Sequence, residues 1–303
     1  MKLINFISIV MLLVLVGCSG GGVDFYDPYY GGEGLYMNFL TNAPPDFVYE
    51  MQEFPIGLFL QNNGAHIIDE GIVTFSYEKD YIEKIWGDDP SIYLEGRTSS
   101  RDQGEEETKM FYFKAKKLDS LSQIHDSQII ANMCYNYLTN LKATVCIDPD
   151  IFDLTEGQKP CSVEDQSFSG QGGPVGITYI EETISLKQET PESVYPTFKI
   201  SIENLDQGEV INQFSTNQYC VGGNIDSDAF KIVDINAWIG NEKLVCFPES
   251  VKLNIDGNGM TICKSVNGIK ATGSAYTTLL SMELKYGYSF SESIEFTILK
   301  TLR

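Results

Sequence analysis

Residues 133–148 read "MCYNYLTNLKATVCID", with Cys134 and Cys146 twelve positions apart. The flanking segments, Ile129–Thr139 and Lys142–Ile147, are rich in Ile, Val, Tyr, Thr and Cys, as strands are. Asn140 lies midway between the two cysteines, and asparagine is a turn residue. A hairpin turning at Asn140 places Cys134 opposite Cys146, and cross-strand Cβ atoms lie roughly 4.5–5.5 Å apart, close enough to bridge. The stretch therefore predicts a Cys134–Cys146 staple. A helix over Leu118–Tyr137 is the competing reading, disfavoured by the Ile129-Ile130 and Tyr135/Tyr137 pattern.

A staple requires an oxidising compartment, and the N-terminus bears on that. The run Leu3–Val16 is apolar except for Asn5 and Ser8, follows Lys2, and ends in Leu15-Val16-Gly17-Cys18. It is long enough for a signal h-region and short for a membrane span. This ending resembles the lipobox of prokaryotic lipoproteins. The resemblance implies cleavage after Gly17, lipid on Cys18, and a chain held on the extracytoplasmic face of a membrane. Residues 18–34, beginning Cys18-Ser19-Gly20-Gly21-Gly22, then read as a flexible tether.

Removal of residues 1–17, whose one charged residue is Lys2, takes the formal charge from −21 to about −22. Such a chain repels phosphate backbones, which excludes nucleic acid as a partner. The expected partners are the membrane, through Cys18, and a protein or glycan yet to be identified.

Six cysteines follow Cys18: Cys134, Cys146, Cys161, Cys220, Cys246 and Cys263. An even set in an exported chain reads as disulfides. Cys246 and Cys263 flank the turn-rich segment 254–259 and pair across it, which leaves Cys161 with Cys220. No CxxC or CxH spacing supports a zinc site.

Beyond the hairpin, β-like segments recur at short spacing with Gly and Asn between them. They are Leu35–Leu40, Ile56–Gln61, Ile72–Tyr77 and Met110–Leu118, then Ile177–Leu186, Thr197–Glu203, Val210–Phe214, Ala229–Ile239, Lys243–Phe247, Val251–Asn254, Met260–Cys263, Ser274–Leu284 and Ser293–Leu299. "RTSSRDQGEEET" (97–108) reads as a surface loop. Residues 147–176, with five Gly and three Pro, carry no β pattern and read as a boundary near residue 160, with "GQGGPVG" (170–176) as linker. "FPIGLFLQNNG" (54–64) resembles "YPTFKISIENLDQG" (195–208): each has Pro, an alternating strand, Asn and then Gly. A strand ending in this way is similar to CARDB-type and other immunoglobulin-like domains of archaeal and bacterial surface proteins. "CYNYLTNLKATVCIDPD" (134–150) looks like a motif of archaeal surface lipoproteins with two such domains. The resemblance implies a cell-surface role in binding or structure, without catalytic residues. The expected fold is all-β, two immunoglobulin-like β-sandwich domains in tandem (35–160 and 161–303) after a lipoprotein signal peptide.

Material for chemistry is sparse. No HExxH, GxSxG or SxxK occurs, and "GQGGPVG" fails GxGxxG. An enzyme is therefore the third reading. His66 and His125 read as solvated loop residues. Asp148, Asp150, Asp153 and Glu156 form one carboxylate cluster. Asn254, Asp256 and Asn258 before Gly259 form a calcium candidate that resembles half an EF-hand loop, but Ser265 stands where the bidentate Glu belongs. Calcium is a candidate for either loop, and the competing reading for the second is turn chemistry. Tyr26, Tyr29, Tyr30 and Trp86 are candidates for a sugar platform. The expected role is adhesion, envelope structure or protein binding, with carbohydrate or solute binding as the alternative.

Overall fold

The computed structural model describes residues 26–152, 157–187, 193–270 and 274–301. The first half supplies β1 (Leu35–Phe39), β2 (Phe47–Tyr49), β3 (Glu53–Asn62), β4 (Ile68–Tyr77), β5 (Ile82–Gly87), β6 (Ser91–Leu94), β7 (Glu106–Ala115) and β8 (Ile124–Ile147). The second supplies β9 (Gln166–Ser167), β10 (Val175–Leu186), β11 (Ser193–Asn204), β12 (Glu209–Ile211), a one-turn helix α1 (Thr216–Cys220), β13 (Ile232–Ile239), β14 (Glu242–Lys243), β15 (Val245–Phe247), β16 (Ser250–Lys252), β17 (Asn258–Lys264), β18 (Ile269–Lys270) and β19 (Tyr276–Leu299). The all-β expectation holds.

The opening stretch is not a hairpin. Asn140 lies inside β8, which runs unbroken for 24 residues, and its even-numbered side chains face away from the core that its odd-numbered ones enter. Cys134 and Cys146 are therefore twelve residues apart along one extended strand and cannot bridge. β19, read from sequence as two strands, is likewise continuous over 24 residues. The two run antiparallel along their whole length, from Tyr276↔Ile147 to Leu299↔Ile124.

This ribbon corrects the tandem arrangement. A nine-stranded sheet takes β2, β4, β6 and β8 from residues before 160 and β12, β13, β14, β16 and β19 from residues after it. Residues 35–160 and 161–303 thus do not close their own sheets. Each half instead contributes an outer sheet, β1-β3-β7-β5 or β15-β17-β11-β10-β9 with β18, facing one end of the shared sheet. At the first end Phe75 packs edge-on to Phe111 at 4.8 Å and Phe54 meets Phe296 at 5.0 Å across the layers.

The halves repeat around the ribbon's centre. Tyr135 and Tyr137 on β8 face Tyr288 and Tyr286 on β19 in register, and all four rings are buried. Each hydroxyl accepts one backbone N–H. Tyr135 takes that of Leu35 at the start of β1, and Tyr286 that of Val175 at the start of β10. Tyr137 takes that of His66, and Tyr288 that of Gly208. Asn62 at the end of β3 and Asn204 at the end of β11 close matching turns, each donating from Nδ2 to the carbonyl four residues on. The repeat read between residues 54–64 and 195–208 is therefore a repeat of structure. Burial pushes all four phenols upward, so they stay neutral hydrogen-bonding groups.

The close approach to Tyr137 needs glycine, since a Cβ on Gly64 would lie 1.9 Å from its hydroxyl. Tyr137 also donates to the carbonyl of Gly172. "GQGGPVG" is accordingly no linker: residues 170–177 are all buried, with Gly173 against Tyr137 and Tyr286 and Gly170 and Gly176 against Leu205. Gln171 brackets Ile177, accepting its N–H and donating to its carbonyl. The tether reading of 18–34 is corrected over its described end. Arg97 donates to the carbonyls of Pro28 and Tyr30, and Gly172 donates to that of Gly31, so this segment is docked.

Candidate binding groove

On the outer face of the shared sheet, at its first end, β4, β8 and β19 present small polar side chains. In register, Thr74 lies opposite Asn132, Asn132 opposite Ser291, and Cys134 opposite Ser289. Asn132 Nδ2 donates to Ser76 Oγ at 3.1 Å, and Ser291 Oγ donates to Asn132 Oδ1 at 2.9 Å. One amide therefore ties three strands across a face with no charged group between them.

A break in the repeat builds a wall on this face. Ile72 of β4 and Asp234 of β13 occupy matching places, opposite Cys134 and Lys285 on the ribbon strands. Ile72 follows Asn62 by ten residues, whereas Asp234 follows Asn204 by thirty. The extra twenty residues, about 212–231, contain α1. Its last residue, Cys220, is disulfide-bonded to Cys134 with a Cα–Cα distance of 5.9 Å. Thr74 Oγ1 donates to the Cys220 carbonyl at 3.1 Å, and Thr216 Oγ1 donates to Asn136 Oδ1 at 2.8 Å. Thr216 fits because residue 287 is glycine: a Cβ there would lie 1.9 Å from Thr216 Oγ1. Tyr219 stands half-buried, edge-on to Phe230 at 5.6 Å.

Between this wall and the polar floor lies a cavity of about 560 Å³ lined by Thr74, Ser76, Asn132, Ser289, Ser291 and Tyr219 among others. A second cavity, of about 440 Å³, shares Tyr219, Ser289 and Ser291 and adds the carboxylates Asp206, Glu209 and Glu292. No Lys, Arg or His lines either one. The groove thus offers neutral hydroxyls and an amide beside an acidic annex, and contains no nucleophile–base pair.

The sequence-derived sites fall as follows. Cys18 lies outside the described residues. All six later cysteines are disulfide-bonded, and two of the three expected pairings are corrected. Cys134 pairs with Cys220 and Cys146 with Cys161, while Cys246–Cys263 is as expected. Elimination gave Cys161–Cys220 only because the hairpin had already claimed Cys146. In the calcium candidate, Asn254 Oδ1 accepts the N–H groups of Asp256 and Asn258, so that oxygen serves the turn. Asp148 takes the Lys159 ammonium at 2.6 Å and the Asp150 N–H, closing the Cys146–Cys161 loop, whereas Asp153 and Glu156 lie outside the described residues. Among the described residues no three His, Cys, Asp or Glu side chains gather as a metal site.

His66 and His125 are more engaged than solvated loop residues. His66 packs edge-on to Tyr137, and burial lowers its pKa. His125 stacks on Tyr81 at 3.6 Å and bonds Glu78 at 2.9 Å. The four proposed platform aromatics do not make one surface of rings. Trp86 stacks on Tyr112 at 3.8 Å, and Tyr26 lies against Arg97. Tyr29 and Tyr30 are exposed. Sequence reasoning missed Asn132, Ser289, Ser291 and Tyr219. Their one signal was the unequal spacing of the two repeats.

No protein-family model and no curated protein matches the sequence. Among solved structures, one described as "Chaperone-tip adhesin complex is vital for synergistic activation of CFA/I fimbriae biogenesis" is similar over 88% of this chain and 86% of that chain, at 10% identity. Its TM-score of 0.11 is too low to support an argument about fold or function.

Proposed function

We propose that the chain is a lipid-anchored extracytoplasmic surface protein that presents a rigid, disulfide-stapled β scaffold for adhesion, envelope structure or protein binding. The observation that carries this reading is the state of the cysteines: all six after Cys18 are in disulfides, the pattern of an oxidising compartment. The Leu15-Val16-Gly17-Cys18 ending supports the anchor. The immunoglobulin-like and CARDB-type resemblance belongs to the same proposal. A binding role draws support from the groove, whose wall is a covalently fixed insertion in an otherwise repeated framework. Second, the groove's neutral lining favours a carbohydrate or other hydroxyl-bearing solute as the partner.

The test is mass spectrometry of the N-terminal peptide from membrane-extracted protein, with cell fractionation. The expected result is a chain beginning at a lipidated Cys18, in the membrane fraction and removed by external protease. An unmodified Cys18 on a soluble chain would overturn the anchor.

A further inference from the structure

We infer that the groove between α1 and the β4–β8–β19 face binds a neutral saccharide chain, an assignment that rests on the surface-binding reading above. Its polar groups suit hydroxyls. Ser76 Oγ accepts from Asn132, which leaves the Ser76 O–H as a donor, and Ser291 Oγ donates to Asn132, which leaves its lone pairs as acceptors. The Asn132 amide keeps one further N–H. A row offering donor, amide and acceptor across three strands matches a ligand whose every ring position carries an O–H. Beside the row, Tyr219 and Val221 give an aromatic and aliphatic wall for the C–H face of a sugar ring.

Charge narrows the ligand further. The lining holds no cation, the adjoining cavity adds Asp206, Glu209 and Glu292, and the chain carries −21, so anionic sugars are repelled. An extended peptide docking by strand addition has no place here. The floor is mid-sheet, with β8 paired to β4 on one side and to β19 on the other. The wall is preformed by Cys134–Cys220, so binding spends little free energy on ordering. The insertion that carries this wall is the one place where the second half adds twenty residues between a turn and a strand that the first half joins directly.

The experiment applies the full disulfide-bonded protein to an array of immobilised neutral, sialylated and sulfated oligosaccharides, then titrates the best neutral hit by calorimetry. Asn132→Ala and Ser291→Ala alter half-buried or exposed groups, and a melting curve for each confirms its fold. Trp86→Ala, on the outer face of the other sheet, is the control. Retention of neutral glycans is expected, weakened tenfold or more by Asn132→Ala and several-fold by Ser291→Ala, and unchanged by Trp86→Ala. Preference for sialylated or sulfated glycans, loss with Trp86→Ala alone, or no neutral glycan retained at millimolar concentration would each overturn the inference. Each of those results leaves the Cys18 anchor to its own test.

Discussion

Glu182 on β10 is the sharpest handle on the second half's core. It points inward after the bulge at Ile177–Tyr179, is 6% exposed, and its Oε1 has no hydrogen-bond partner among the described residues. The backbone N–H of Cys146 on β8 offers one compensating bond. Burial outweighs it and pushes the carboxyl up to about 7 from its ordinary 4.5. The sign follows from proton counting. Between pH 4.5 and 7 the folded chain holds this proton more tightly than the unfolded one, so stability is greatest below 4.5 and falls as pH rises to about 7. A 2.5-unit difference at 1.36 kcal/mol per unit amounts to about 3 kcal/mol. For a chain of this size that is on the order of 5–10 °C in melting temperature. Glu182→Gln keeps the shape and removes the titration. Melting curves of both proteins from pH 4 to 9 should nearly coincide near pH 4.5 and separate by up to that amount at pH 8, with the glutamine variant more stable. Parallel curves across the range would refute the argument, and so would a wild type that gains on the variant as pH rises.

Further outcomes follow from the ribbon and the groove wall. Tyr137→Phe should cost about 1–2 kcal/mol in denaturant unfolding, because the part-buried His66 N–H loses its partner while the Gly172 carbonyl keeps the Ala65 N–H. Gly287→Ala should loosen α1, and Thr216→Ala should restore much of the loss, giving a non-additive double-mutant cycle. Cys220→Ser opens an 86-residue loop, for which chain entropy sets a loss of about 4–5 kcal/mol as the upper limit; hydrogen exchange should rise first in residues 212–222. Asn132 is half-buried and its two hydrogen bonds are solvent-accessible, so Asn132→Ala should be a mild change in stability, within about 1 kcal/mol, despite its expected effect on binding.

Most of the longer strands were legible in the sequence; β2, β5 and β6, and strand length at the centre, were not. Segments such as 35–40, in one outer sheet, and 177–186 and 260–263, in the other, each stay within a single sheet, where alternation and Gly/Asn punctuation mark both ends. β8 and β19 cross from one end of the molecule to the other, and their outward positions carry Asn136, Asn140, Ser289 and Ser291. Those residue types also make turns, so a strand with one polar face reads as two strands with a turn between. The same misreading occurred twice because the two strands are counterparts. It also turned a shared sheet into two domains and sent Cys134 to the wrong partner. The glycine-rich 170–176 misled for a related reason, since its glycines permit close packing rather than flexibility: Gly173 against Tyr137 and Tyr286, Gly170 and Gly176 against Leu205, and Gly172 against Ala65. The groove itself depends on a helix of five residues brought over the sheet by a disulfide of sequence separation 86, which no local pattern encodes.

Non-reducing peptide mapping of the native protein bears most directly on both ribbon and groove. The expected result is three linked pairs, Cys134–Cys220, Cys146–Cys161 and Cys246–Cys263. Recovery of a Cys134–Cys146 peptide would break β8 at Asn140, and with it the shared sheet and the wall of the groove.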